Sequence, residues 1–88
     1  MKQLPQEAIL KSLGQSIRAV RLEKKLKQNE VAKRCGFFKS GYNAIESGHR
    51  NVSLLTLYKV AFVLETPISN FFSNKEFYTF LKKFGDSK

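Results

Sequence analysis

Residues 26–48 read LKQNEVAKRCGFFKSGYNAIESG, and the way this stretch divides decides the fold. Val31 and Ala32 mark the inner side of one short helical pattern, Tyr42 and Ile45 that of a second. A glycine follows each pattern, Gly36 and Gly48. Glycine there adopts the left-handed conformation without a Cβ clash, so each reads as a helix stop. The spacing predicts one helix over 28–35 and another over 39–47, joined by about three residues led by Gly36. Two helices joined so closely meet at a steep angle, and the second is displayed.

Upstream, Leu4-Pro5 opens a first helix, because proline is tolerated at a helix start and Glu7 suits the first turn. It is predicted to run to about Lys24, with Ile9, Leu13, Ile17 and Val20 on one stripe. Gly14 weakens it by up to about 1 kcal/mol relative to alanine, a cost that close approach of another backbone would offset. Downstream, Ser53 reads as the N-cap of a fourth helix over 54–65. Thr66-Pro67 breaks it, and a short fifth helix covers 67–72. Residues 75–88 alternate aromatics with lysines and read as either an amphipathic helix or a frayed tail. With no strand-like alternation of any length, the fold class is all-α: a compact bundle of about five short helices. Three regions are expected: an N-terminal extension of the first helix (1–11), a central domain (12–73) and a C-terminal helix or tail (74–88).

A chain of 88 residues sets one domain as the default. Its 42% hydrophobic content, with 8 Phe and 3 Tyr, argues against wholesale disorder. No apolar run approaches the roughly 18 residues that span a bilayer. The N-terminus lacks the apolar segment and cleavage site of a secretory signal. The single cysteine, Cys35, cannot form an internal disulfide, so a reducing, cytoplasmic setting is expected. The net charge of +9, from 16 Lys+Arg against 7 Asp+Glu, attracts polyanions. The plainer reading of that surplus is a solubilising surface. His49 and Cys35, each alone of its kind, have no convincing catalytic neighbour, so an enzyme is not expected. Nor is a cofactor, a metal or a small-molecule ligand, because no ligand cluster is present.

Four segments, LGQSIRAVR (13–21), LKQNEVAKRCGF (26–37), YNAIESGHRNVSLLTLYKVAFVL (42–64) and ISNFF (68–72), resemble the lambda/434 repressor and Cro-like (XRE family) helix-turn-helix domains. Among these, the resemblance runs to the restriction–modification controller proteins. It covers most of residues 12–72 in order and spacing. It implies a sequence-specific, double-stranded-DNA-binding transcriptional regulator, a homodimer on a near-palindromic operator, with residues 39–47 as the recognition helix.

Helical periodicity then turns Tyr42 and Ile45 inward and leaves Lys39, Ser40, Asn43 and Ala44 facing base edges. Lysine donates to guanine O6 or N7, and the asparagine amide matches adenine N6 and N7. Gln28, Lys27, Lys33, His49, Arg50 and Asn51 are assigned to phosphates, Gln28 because the helix N-terminus offers free N–H groups to the same anion. The resemblance also implies a structural ion pair between Arg21 and Glu46, and burial of that carboxylate would require one. Phe38 stands where the family normally carries a capping Ser or Thr, a loss of about 1 kcal/mol. Its ring is expected to pack on Phe37 and Tyr42 rather than to meet a sugar or a thymine methyl. In the fourth helix Leu54, Leu57, Val60, Ala61 and Leu64 form the inward stripe. The surplus apolar residues suggest an interface. The resemblance implies that Leu55, Tyr58 and Phe62, with Ile68, Phe71 and Phe72, form a two-fold dimer contact. The competing reading covers that patch with Phe77, Phe80 and Phe84 of the same chain. A second class of function stays open: an antitoxin or adaptor-type interaction module using the aromatic C-terminal part. Absence of salt-sensitive binding to any duplex would favour it.

Overall fold

Pro5 is the N-cap of α1 (Gln6–Glu23), which carries Glu7 in its first turn. The structure, a computed structural model, describes residues 4–72 together with Thr79 and Lys82. After α1 come α2 (Gln28–Cys35), α3 (Lys39–Ser47) and α4 (Leu54–Val63), and then a single 3-10 turn, Ile68–Phe71. The described residues contain no strand. α2 and α3 have the bounds that the glycine stops predict. Gly36 and Gly48 both take φ 77°, the left-handed conformation. α4 ends two residues earlier than expected, because Leu64 is its C-cap and Glu65 turns left-handed with φ 52°. Lys25 does the same after α1, with φ 59°. A bond from Lys24 Nζ to the Glu65 carbonyl, 3.3 Å, ties these two bends together.

The core forms where α1 and α2 pack on α3, α2 packs on α4, and the 3-10 turn closes against α1 and α4. Ile17, Val31, Tyr42, Ile45, Val60, Leu64 and Phe71 are enclosed. Glycines set how closely α1 meets α3. A Cβ on Gly14 would collide with the Glu46 carbonyl oxygen and stand 2.6 Å from that of Ile45. A Cβ on Gly48 would lie 2.5 Å from Lys11 Cα. The propensity lost at Gly14 is therefore the condition for seating α3 directly on the α1 backbone.

Three expectations are corrected. Leu54, assigned to the inward stripe of α4, is 65% exposed at the first position of the helix; Leu57, Val60, Ala61 and Leu64 are buried. Phe71, assigned to a dimer contact, is 1% exposed, because the 3-10 turn swings its ring back into the core. Phe38 packs on neither Phe37 nor Tyr42 as expected, and stands 87% exposed. The expected C-terminal helix, with Phe77, Phe80 and Phe84, lies outside the described residues. No helix of the described residues is long and apolar enough to cross a membrane.

Candidate nucleic-acid interface

α3 lies across the molecule with its inner side sunk in the core and its outer side bare. Tyr42 and Ile45 occupy the inner side. Lys39, Ser40 and Asn43 are exposed, and Ala44 is half-buried between the two sides. Phe38 is the N-cap and makes no side-chain capping bond, so its side chain satisfies none of the first N–H groups of α3.

The helix is held from beneath by a chain of polar bonds. Arg21 Nε donates to Glu46 Oε2 at 2.6 Å, and Nη2 donates to Oε1 at 3.0 Å. The third guanidinium nitrogen, Nη1, donates to the Leu26 carbonyl at 2.8 Å, just before α2. Gln28 Nε2 donates to Glu46 Oε1 at 3.0 Å, and Asn43 Nδ2 donates to Gln28 Oε1 at 3.1 Å. The chain thus runs from α1, through the buried end of α3 and the first residue of α2, to an exposed amide on the outer side of α3. Gln28, expected to reach a phosphate, spends both ends of its amide on the protein. What it does is fix how the Asn43 amide is turned. One N–H of Asn43 is used in that bond, leaving the other available beside its carbonyl.

Both partners of the ion pair are buried, with side-chain exposures of 8% for Arg21 and 2% for Glu46. Burial by itself pushes the Glu46 carboxyl up, but the bonds from Arg21 and Gln28, with the Tyr42 hydroxyl close by, outweigh it and hold the group below its ordinary 4.5. The bond to Glu46 raises the Arg21 guanidinium above its ordinary value against the opposing effect of burial. Burial, then proximity to Glu46, pushes the Tyr42 phenol well above 10.0. Its hydroxyl meets no partner at hydrogen-bonding geometry, although Glu46 and Arg21 lie near enough to shift its ionisation.

Around the bare side of α3 the remaining candidates are spread on exposed ground. Lys27 is the N-cap of α2, and Glu30 Oε1 accepts from its backbone N–H at 3.1 Å; Lys33 faces outward from the same helix. His49 Nδ1 lies 3.1 Å from Ser47 Oγ, which itself donates to the Asn43 carbonyl at 3.0 Å. Asn51 is exposed, and its Oδ1 accepts from the Val52 N–H at 3.0 Å. Arg50 folds back over the first half of α3: a Cβ on Gly41 would stand 3.2 Å from its Nη1. Periodicity marks Gly41 only as a weakness in a short helix. In three dimensions it makes room for a guanidinium beside the displayed face. Only the pairing of Gly41 with a basic residue nine positions on could have signalled this, and such a pairing is too common to single out. Among the described residues no group of His, Cys, Asp and Glu could hold a metal ion.

The helix-turn-helix family profile matches residues 17–71. An uncharacterized HTH-type transcriptional regulator of Sinorhizobium fredii is 39% identical over 51 residues, which are 58% of this chain and 66% of that protein, just under two thirds of its length. Among solved structures, the restriction-modification controller protein C.AhdI of Aeromonas hydrophila superposes with a TM-score of 0.70 at 34% identity. That match covers 73% of this chain and 97% of the controller. The fold is also that of a hypothetical transcription factor of Neisseria, with a TM-score of 0.72 at 24% identity, covering 92% of this chain and 94% of the other. With the displayed α3, the buried Arg21–Glu46 clamp and these matches together, the chain belongs to the helix-turn-helix family of DNA-binding transcription regulators, in its lambda repressor and Cro-like branch.

Proposed function

We propose that the protein is a sequence-specific regulator that lays α3 in the major groove of an operator, two copies binding a near-palindromic site. The observation that carries this reading is the bare outer side of α3. Lys39, Ser40 and Asn43 are exposed there, while Arg21, Glu46 and Gln28 hold the helix and the Asn43 amide from beneath. Lys39 suits guanine, and Asn43 suits adenine. Lys27, Lys33, His49 and Arg50 serve the phosphates on either side, with Ala44 at the edge of the base-reading strip. Exposed Asn51, whose Oδ1 already accepts from the Val52 N–H, serves a phosphate through its amide N–H.

The dimer reading is supported by Leu55, Tyr58, Phe62 and Phe72, which are 79%, 53%, 85% and 50% exposed on one side of α4 and the end of the 3-10 turn. Ile68 is half-buried at the floor of a groove beside Tyr58 and Phe62. A two-fold pair through this patch would place two α3 helices about one turn of B-DNA apart, roughly 34 Å. Selection of bound duplexes from a random library tests the proposal. The expected product is a pair of inverted half-sites whose centres are about 10 base pairs apart. Recovery of no enriched sequence, with binding indifferent to salt, would overturn it. C.AhdI is a restriction-modification controller protein; for this chain the proposed regulation is control of transcription through protein concentration and occupancy of adjacent sites.

A further inference from the structure

Phe38 is the residue that neither fold nor proposed contacts explain. A phenylalanine 87% exposed forgoes the burial that makes the side chain favourable in a folded protein. The two partners it ought to have are taken. Phe37 is packed against the core and carries Lys59 Nζ over its ring at 5.4 Å, and Tyr42 is fully enclosed. Backbone angles of φ −69° and ψ 147° put Phe38 in the extended N-cap position, one residue before Lys39. Recognition helices of this architecture contact base edges with their N-terminal residues. The aromatic ring therefore stands at the leading end of the strip occupied by Lys39, Ser40 and Asn43.

Resting on the DNA-binding reading above, we propose that Phe38 is a specificity-determining contact that reads the C5-methyl group of a thymine in each half-site. A benzene ring has no donor for phosphate or for a base heteroatom. The major-groove edge of the four bases presents one apolar group, the thymine methyl. Burying that methyl against the ring removes apolar surface of both partners from water. It also gives the ring the partner that the fold withholds. The absent side-chain cap on α3 is the accompanying cost: the family's usual Ser or Thr gives way to a residue whose partner is outside the chain.

The test uses the full chain and the operator recovered by selection. Each thymine in turn is replaced by deoxyuridine, which removes the methyl and nothing else. Wild-type protein is expected to lose affinity about fourfold at one thymine per half-site, the magnitude of one buried methyl. Phe38→Ala loses nothing at that same position and responds like wild type at every other. Phe38→Leu, still apolar but smaller, retains part of the discrimination. Because the ring is exposed, both variants should melt with wild type, and circular dichroism checks that they do. Identical uracil profiles for wild type and Phe38→Ala would overturn the assignment while leaving the regulator reading intact. Failure to find any salt-sensitive duplex would overturn both.

Discussion

Arg21 and Glu46 show how much hangs on a single pair. A carboxylate beside Ile45 in a strongly basic chain invites an electrostatic role toward the outside, yet Glu46 points inward and is almost wholly buried. Phosphates would repel it, and the guanidinium pays for its desolvation. Arg21→Met leaves the Glu46 charge buried without its partner, and the expected loss of stability is about 3–5 kcal/mol by urea denaturation. Converting both residues to apolar ones of similar volume should recover much of that loss; a double variant as unstable as the single one would contradict this account. The pair also predicts an acid limb. The folded Glu46 carboxyl lies below its ordinary 4.5, so its contribution to stability is complete above about pH 4.5. It is lost as pH falls through the lower, folded value. Stability measured from pH 7 to 3 should fall below pH 4.5 in wild type and fall less in Glu46→Gln. In the opposite direction, Tyr42 is raised above its ordinary 10.0, so the stability from keeping it neutral is present below pH 10 and is lost as pH rises beyond it.

At the scale of elements, the decisive contact is that of α1 with the C-terminal end of α3. It is made by backbone on backbone, through Gly14 on one side and Gly48 on the other. A methyl group at position 14 meets main-chain carbonyl oxygens that cannot swing away as a flexible side chain would. Gly14→Ala should therefore destabilise despite the better helix propensity of alanine, by about 1–3 kcal/mol, the usual cost of overpacking. Thermal melting checks the sign: an increase in Tm would mean that α1 and α3 are not seated as described. The alternation of helical stripes and terminal glycines made α2 and α3 legible to the residue, since caps and apolar period are local properties. The end of α4 was not, because Leu64 continues the apolar pattern while Glu65 already turns away. Phe71 was misjudged for a related reason. Four residues of 3-10 geometry rotate side chains differently from an α-helix, and periodicity alone does not say which geometry a short turn takes.

For the molecule as a whole, the surface has two unlike regions. One is the polar and basic strip of α3 with its flanking loops, and the other is the apolar patch of Leu55, Tyr58 and Phe62 beside Ile68, with Phe72 exposed after the 3-10 turn. Exposed apolar residues grouped in this way on a small domain mark an interface. In the proposed dimer, Leu55→Lys or Phe62→Lys places a charge in the contact. Sedimentation is expected to show the variant as a monomer at concentrations where wild type is paired, with operator affinity reduced at least tenfold. The isolated fold should be unaffected to within about 0.5 kcal/mol, as both side chains are already in water. A variant that still sediments as a dimer would move the interface elsewhere.

The order of the chain alone determined the all-helical class, the tight pairing of α2 with α3, and the inward turn of Tyr42 and Ile45. Period, caps and glycine stops act over a few residues and can be read without a partner. Tertiary structure decided what those signals cannot carry: that Gln28 bonds Glu46 and orients Asn43, that the Arg50 guanidinium lies over Gly41, and that Phe38 is left outside. Each of these depends on which neighbour, distant in sequence, already occupies the space, and only the packed chain settles that competition.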